Sequence, residues 1–129
     1  MLSKTKFSTY KKQSGLCLRA HFGLSLTEKE AIDLAIGKWD FIVSYYEDVD
    51  TNRVLYDGGN ETCALCHFFS PGCAGCFVFK HSGSPYCLNT PYASYHWEIL
   101  KETPCLSKLL LYAKEEREFL KILKQKEGM

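Results

Sequence analysis

The sequence has no run approaching the roughly 20 apolar residues of a membrane-spanning helix, so no membrane partner is expected. It also has almost no net charge. Sixteen Lys and Arg oppose fifteen Asp and Glu, leaving +1 over 129 residues. No overall field therefore draws in nucleic acid or anionic lipid. No internal repeat, low-complexity stretch, Gly-rich phosphate loop, Ser-His-Asp order or paired-carboxylate constellation occurs. Without a catalytic grouping, a non-enzymatic protein is expected. The N-terminus is basic, but no continuous apolar segment or small-residue cleavage site follows it, as a signal peptide requires. The expected location is therefore the cytoplasm, where thiols stay reduced and disulfides are rare.

What is present is ordinary globular material with one unusual ingredient. Apolar residues make up 46% and charged residues 24%, which excludes wholesale disorder. The length suits one domain burying roughly two thirds of the surface exposed by the unfolded chain. Charge is distributed unevenly. Residues 1–26 carry Lys4, Lys6, Lys11, Lys12 and Arg19 with no acid, and are read as a basic arm. Its bland role is a solvated terminus, and its functional one is phosphate contact. Residues 27–62 reverse the balance, with nine acids against Lys29, Lys38 and Arg53. Residues 27–129 are read as a single globular domain.

The apolar spacing predicts a mainly α fold with a small β element. Leu16, Leu18, Ala20 and Phe22 alternate with polar or small residues as in a short strand. Thr27 stands three residues before Glu30, the spacing of a capping box. Behind it Ile32, Ala35, Trp39, Ile42, Val43 and Tyr46 recur at three- and four-residue steps, predicting a helix over about 28–46. Gly37 interrupts this helix, at about 1 kcal/mol relative to Ala. Val54-Leu55-Tyr56 and Phe77-Val78-Phe79 are the candidates for brief strands. Thr90-Pro91 and Thr103-Pro104 each pair an N-cap hydroxyl with a proline at the first helical position. The first predicts a short helix to about Leu100 with Tyr92, Tyr95, His96 and Trp97. The second predicts a long helix to about Gln125, with Leu106, Leu109, Leu110, Ala113, Leu120 and Leu123 inward. Glu115, Glu116, Arg117, Glu118, Lys121 and Lys124 are expected on its outer side.

The unusual ingredient is seven cysteines, an odd count that cannot all pair within one chain. Cys63-Ala-Leu-Cys66 and Cys73-Ala-Gly-Cys76 form C-x2-C-x6-C-x2-C. Two residues between thiolates let a tight turn aim both sulfurs at one point about 2.3 Å away, as tetrahedral zinc requires. Bound zinc adds on the order of 10 kcal/mol of apparent binding energy, enough to order a loop-rich segment. The expected cofactor is thus a structural Zn2+ held by Cys63, Cys66, Cys73 and Cys76, with Cys87 as the leading substitute. His67 and His81 also lie within loop reach. An iron–sulfur cluster takes the same four thiolates and stays open. Covalent haem attachment at Cys63-Ala-Leu-Cys66-His67 and a dithiol redox centre fit less well, lacking an exported context and a βαβ setting. Cys17 and Cys105 are read as small buried apolar residues, and His96 as a packing residue. The aromatics around residues 68–95 are read as a mini-core around the metal. Only Lys80 and Lys101 accompany them, too few cations for a nucleic-acid site. A four-thiolate site leaves no position for substrate.

The order of features from Ala31 to Leu123 resembles a group of small uncharacterised bacteriophage and prophage proteins. These have a Trp-bearing helix, C-x-L-C, C-x-x-C, Gly-x-x-x-Cys-x-x-Thr-Pro-Tyr and a charged helix ending in Phe-Leu. Here the pieces are Ala35-Ile-Gly-Lys-Trp39, Cys63-Ala-Leu-Cys66, Cys73-Ala-Gly-Cys76, Gly83-Ser-Pro-Tyr-Cys87-Leu-Asn-Thr90-Pro-Tyr92 and Glu115-Glu-Arg-Glu-Phe119-Leu120. The group often has Pro after the second CxxC and Thr-Gly before the fifth Cys, where this chain has Phe77 and Ser82-Gly83. The resemblance covers about ninety residues and leaves out the basic arm. It implies that five cysteines matter together, which raises Cys87, and it implies a host cytoplasm; it brings no activity with it.

The expected architecture is two longer helices and a short one packed around a zinc-knuckle-like cysteine segment. The expected function is that of a non-enzymatic zinc-binding phage accessory protein that binds a host or viral protein and interferes with a host process. A zinc-dependent nucleic-acid-binding protein using the basic arm and aromatics is the alternative, and a metal-dependent enzyme the next.

Overall fold

The computed structural model describes residues 27–48, 50–52, 54–55, 76–83, 87 and 89–129. Four helices occupy most of them: α1 (Glu28–Glu47), α2 (Phe77–Ser82), α3 (Pro91–Ile99) and α4 (Leu106–Lys126). The fold is mainly α as expected. No strand occurs among the described residues, and the Phe77-Val78-Phe79 candidate for the small β element is helical. The expected strand at Leu16–Phe22 lies outside them. Val54 and Leu55 run without regular pairing.

The first helix starts where local chemistry directs. The Thr27 hydroxyl accepts the Glu30 amide at 3.1 Å, and the Glu30 carboxylate accepts the Thr27 amide at 3.0 Å. Each side chain thereby satisfies a backbone donor that the first helical turn leaves open. The apolar stripe of α1 buries Ala31, Ile32, Ala35, Trp39, Ile42 and Val43. Helix α4 answers with Leu109, Ala113, Leu120 and Leu123. It packs against α1, α3 and α2, and so forms the hub of the fold.

Charge sets the orientation of α1 and α4. Asp33 meets Lys124 at 2.6 Å, Asp40 meets Arg117 at 3.3 Å and Glu47 meets Lys114 at 3.6 Å. As one index rises the other falls, so the helices run antiparallel. Partly exposed pairs of this kind contribute about 0–1 kcal/mol each, so they define register more than they stabilise.

Three local expectations need correction. Phe77-Val78-Phe79 opens helix α2 instead of forming a strand. Gly83 closes that helix in the left-handed conformation, φ 75°, donating its amide to the Phe79 carbonyl at 2.9 Å. A residue without Cβ meets that requirement at no steric cost. Helix α4 begins at Leu106, with Cys105 as its N-cap, and not at Thr103-Pro104. The cause is Glu98, whose Oε2 accepts the Cys105 amide at 3.0 Å and so fixes the entry two residues later. Glu116 is buried on the inner side of α4, not exposed on its outer face. It falls in step with Leu109, Ala113, Leu120 and Leu123, at alternating spacings of four and three.

A hydrogen-bonded ring closes the core. The Leu55 amide donates to Tyr46 Oη at 2.8 Å, and Tyr46 Oη lies 2.9 Å from Tyr95 Oη. Tyr95 Oη donates to the Leu55 carbonyl. A hydroxyl has a single hydrogen. Because Tyr95 gives its own to Leu55, Tyr46 must be the donor between the two tyrosines. The ring holds Leu55 against α1 and α3 and satisfies its backbone polar groups away from water.

Candidate functional site

Five cysteines were singled out as metal ligands, and the described residues contain two of them. Cys63, Cys66 and Cys73 lie outside the described residues, as do His67, Cys17, Lys4, Lys6, Lys11, Lys12 and Arg19. Among the described residues no group of three His, Cys, Asp or Glu is placed to hold a metal ion.

Cys76 is the N-cap of α2 and is 7% exposed, in the apolar core with Val78. Its carbonyl accepts the Lys80 amide at 3.0 Å, the first bond of the helix. Cys87 is partly buried against the same core and has a left-handed backbone, φ 60°; Asn89 does the same two residues later. Asn visits that region readily, whereas for Cys it costs roughly 1–2 kcal/mol. The Thr90 hydroxyl donates to the Cys87 carbonyl and pins this turn. Thr90 is thus the N-cap residue of α3, as expected, but its hydroxyl bonds backwards and makes no side-chain cap on the helix. Both of the candidate metal ligands among the described residues, Cys76 and Cys87, therefore sit at helix entries held by hydrogen bonds.

Two other candidate residues have settings different from those the spacing suggests. Cys105 is exposed, not buried. Its thiol is held below the usual range, first by the hydrogen bond with the Ser107 hydroxyl at 3.3 Å and then by the Lys108 amide. His81 on α2 lies 3.0 Å from Glu127 Oε1, at the end of α4.

The feature that sequence reasoning missed is the solvent face of α3. Trp97 and Leu100 are each 59% exposed. His96, expected to pack inside, is exposed as well. The signal was available: Tyr95 and Ile99, four apart, face the core, so Trp97 between them points away. Trp97 is nevertheless not loosely held. Its ring lies edge-on to His96 at 5.4 Å, and His96 stacks on Tyr92 at 6.0 Å. Tyr92 meets Trp39 at 6.1 Å, and Trp39 meets the fully buried Tyr95 at 5.1 Å. A continuous series of rings thus joins the exposed indole to the core. Beneath it, Glu98 accepts the Cys105 amide and, at 2.9 Å, the Lys101 ammonium. These two hydrogen bonds, in that order, hold its carboxyl below the usual range.

No described helix is long and apolar enough to cross a membrane. Comparison with known proteins finds no matching family model, no matching curated protein and no matching solved structure.

Proposed function

We propose that this chain is a non-enzymatic, zinc-organised accessory protein of bacteriophage type, which acts in a host cytoplasm by binding a host or viral protein. The observation that carries the reading is the exposed pair of Trp97 on α3 and Leu100 at its C-cap, backed by rings that run into the core. A rigid, exposed aromatic next to a large apolar side chain is the composition of an interface anchor. The cysteine segment leads directly into this helix through Cys87 and Thr90. Zinc held by Cys63, Cys66, Cys73 and Cys76, with Cys87 as substitute or neighbour, would supply a fixed crosslink just upstream of that face. The burial of Cys76 and the left-handed turn at Cys87 suit residues whose positions are set by something more than chain preference. The resemblance to small phage and prophage proteins supports the same reading.

Affinity capture from host lysate tests it, comparing wild type with Trp97→Ala and Leu100→Ala. A protein retained by wild type and lost from both variants, at unchanged melting temperature, is the expected result. Retention by both variants would refute the role of α3. Nucleic-acid binding through Lys4, Lys6, Lys11, Lys12, Arg19 and exposed aromatics is separated by salt. Phosphate contacts make affinity fall steeply with ionic strength, and no binding at low salt would eliminate that reading.

A further inference from the structure

We infer that Glu127 is a positioning residue for the Cys76 thiolate: by gripping Lys80 and His81 it locks α2, and the ligand residue at its start, onto the end of α4. This rests on the zinc reading above and adds the part of the helical fold that prepares the site. Helix α2 has six residues. An isolated helix so short does not persist in water, so its order must come from its neighbours. One anchor is apolar: Cys76 and Val78 are buried in the core, and Phe79 packs against it. The other is ionic. Both basic side chains of α2 converge on one carboxylate, with Lys80 Nζ 3.2 Å and His81 Nε2 3.0 Å from Glu127 Oε1. Lys80 Nζ also lies 3.4 Å from Oε2. The Glu127 side chain is only 14% exposed there.

The far side of the latch is equally well set. Glu127 is the C-cap of α4. Behind it the Gly128 amide donates to the Gln125 carbonyl at 3.0 Å and the Met129 amide to the Lys124 carbonyl at 3.1 Å, with Gly128 left-handed at φ 73°. These are the two bonds of a Schellman motif, so the residue carrying the carboxylate is held on both sides. A negative charge at a helix C-terminus opposes the helix dipole. His81 first, and Lys80 second, offset that and keep the carboxyl below its usual range. Cys76 precedes this clamped helix by one residue, and its carbonyl accepts the Lys80 amide. A displaced Lys80 therefore displaces Cys76.

The test uses the full chain as wild type, Glu127→Lys, and the charge-swapped pair Lys80→Glu with Glu127→Lys. Lys80 is 66% exposed, so its reversal leaves the packing alone. Cobalt(II) titration, read by thiolate-to-metal absorbance, gives the metal affinity. Far-UV circular dichroism reports whether the helices remain, and Glu127→Gln serves if Glu127→Lys fails to fold. Glu127→Lys sets an ammonium against Lys80 in place of the carboxylate and is expected to lose about tenfold in metal affinity, about 1.4 kcal/mol. The swapped pair should recover most of that loss. In the metal-free chain, Glu127→Lys should also speed hydrogen exchange of the Lys80 and Gly83 amides while leaving those of α1 unchanged. Equal affinity in all three chains, or an equal loss in both variants, would overturn the inference while the zinc reading stood. A wild-type chain that binds no cobalt would overturn both.

Discussion

Replacing Tyr46 by Phe deletes one oxygen from the core and is expected to destabilise the fold by about 2–4 kcal/mol. Tyr46 and Tyr95 are both buried, and Leu55 is 1% exposed, so water does not reach the ring they form. The Leu55 amide would lose the oxygen to which it now donates at 2.8 Å. A buried donor left without an acceptor costs about 1–3 kcal/mol, and the lost bond to Tyr95 adds about 1 kcal/mol. Tyr95→Phe removes the donor to the Leu55 carbonyl instead. A carbonyl tolerates under-satisfaction better than an amide, so about 1–2 kcal/mol is expected. The double variant should lose less than the sum, because each single change already breaks the ring. Urea unfolding followed by circular dichroism measures all three. A Tyr46→Phe chain within about 0.5 kcal/mol of wild type, or strict additivity of the two changes, would exclude a closed hydrogen-bonded ring in the core.

Three further outcomes are expected. Trp39→Ala should cost about 3–5 kcal/mol as a core cavity, because its ring is buried between Tyr92 and Tyr95; a near-neutral urea midpoint would contradict that placement. Gly37→Ala should stabilise by about 0.5–1 kcal/mol. The position is exposed on α1 and a Cβ there meets nothing within 4 Å, so a lowered melting temperature would count against the helix as described. Asp33→Asn should lower the melting temperature slightly at pH 7 and not at all in acid. The Lys124 hydrogen bond, and then that of Lys29, hold the Asp33 carboxyl below its usual range, so the folded state favours the ionised form. That contribution is complete above the ordinary Asp value of about 3.9 and is lost as pH falls through and below it. A gap between the two melting curves that stays constant from pH 7 to pH 2 would exclude the ion pairs as its cause.

Much of the helical frame was legible in the sequence because its determinants are local. The Thr27–Glu30 capping box and the spacing of Ile32, Ala35, Trp39, Ile42 and Val43 identify α1 unaided. The stripe of Leu109, Ala113, Leu120 and Leu123 does the same for α4. Expectations failed where a distant group overruled a neighbour. Thr103-Pro104 carries every sign of a helix start, yet the Glu98 carboxylate, seven residues from Cys105, sets the entry of α4. Phe77-Val78-Phe79 reads as a strand by side-chain type, but Val78 is buried, Gly83 caps a helix and Glu127 holds its basic residues. Glu116 looked exposed from its company of charges, although its register placed it inward. Of the candidate metal site, spacing alone proposed the ligands, and the fold adds the settings of Cys76 and Cys87. Cys63, Cys66 and Cys73 lie outside the described residues. Trp97 stands at the surface because it lies two residues from both Tyr95 and Ile99, which face the core.

The most direct test of the account is the metal content of the full-length protein purified under reducing conditions, measured by elemental analysis alongside Cys63→Ser and Cys76→Ser. One equivalent of zinc per wild-type chain is expected, lost from both variants together with several kcal/mol of stability. Iron with inorganic sulfide, no metal at all, or zinc retained by both variants with unchanged melting would contradict it.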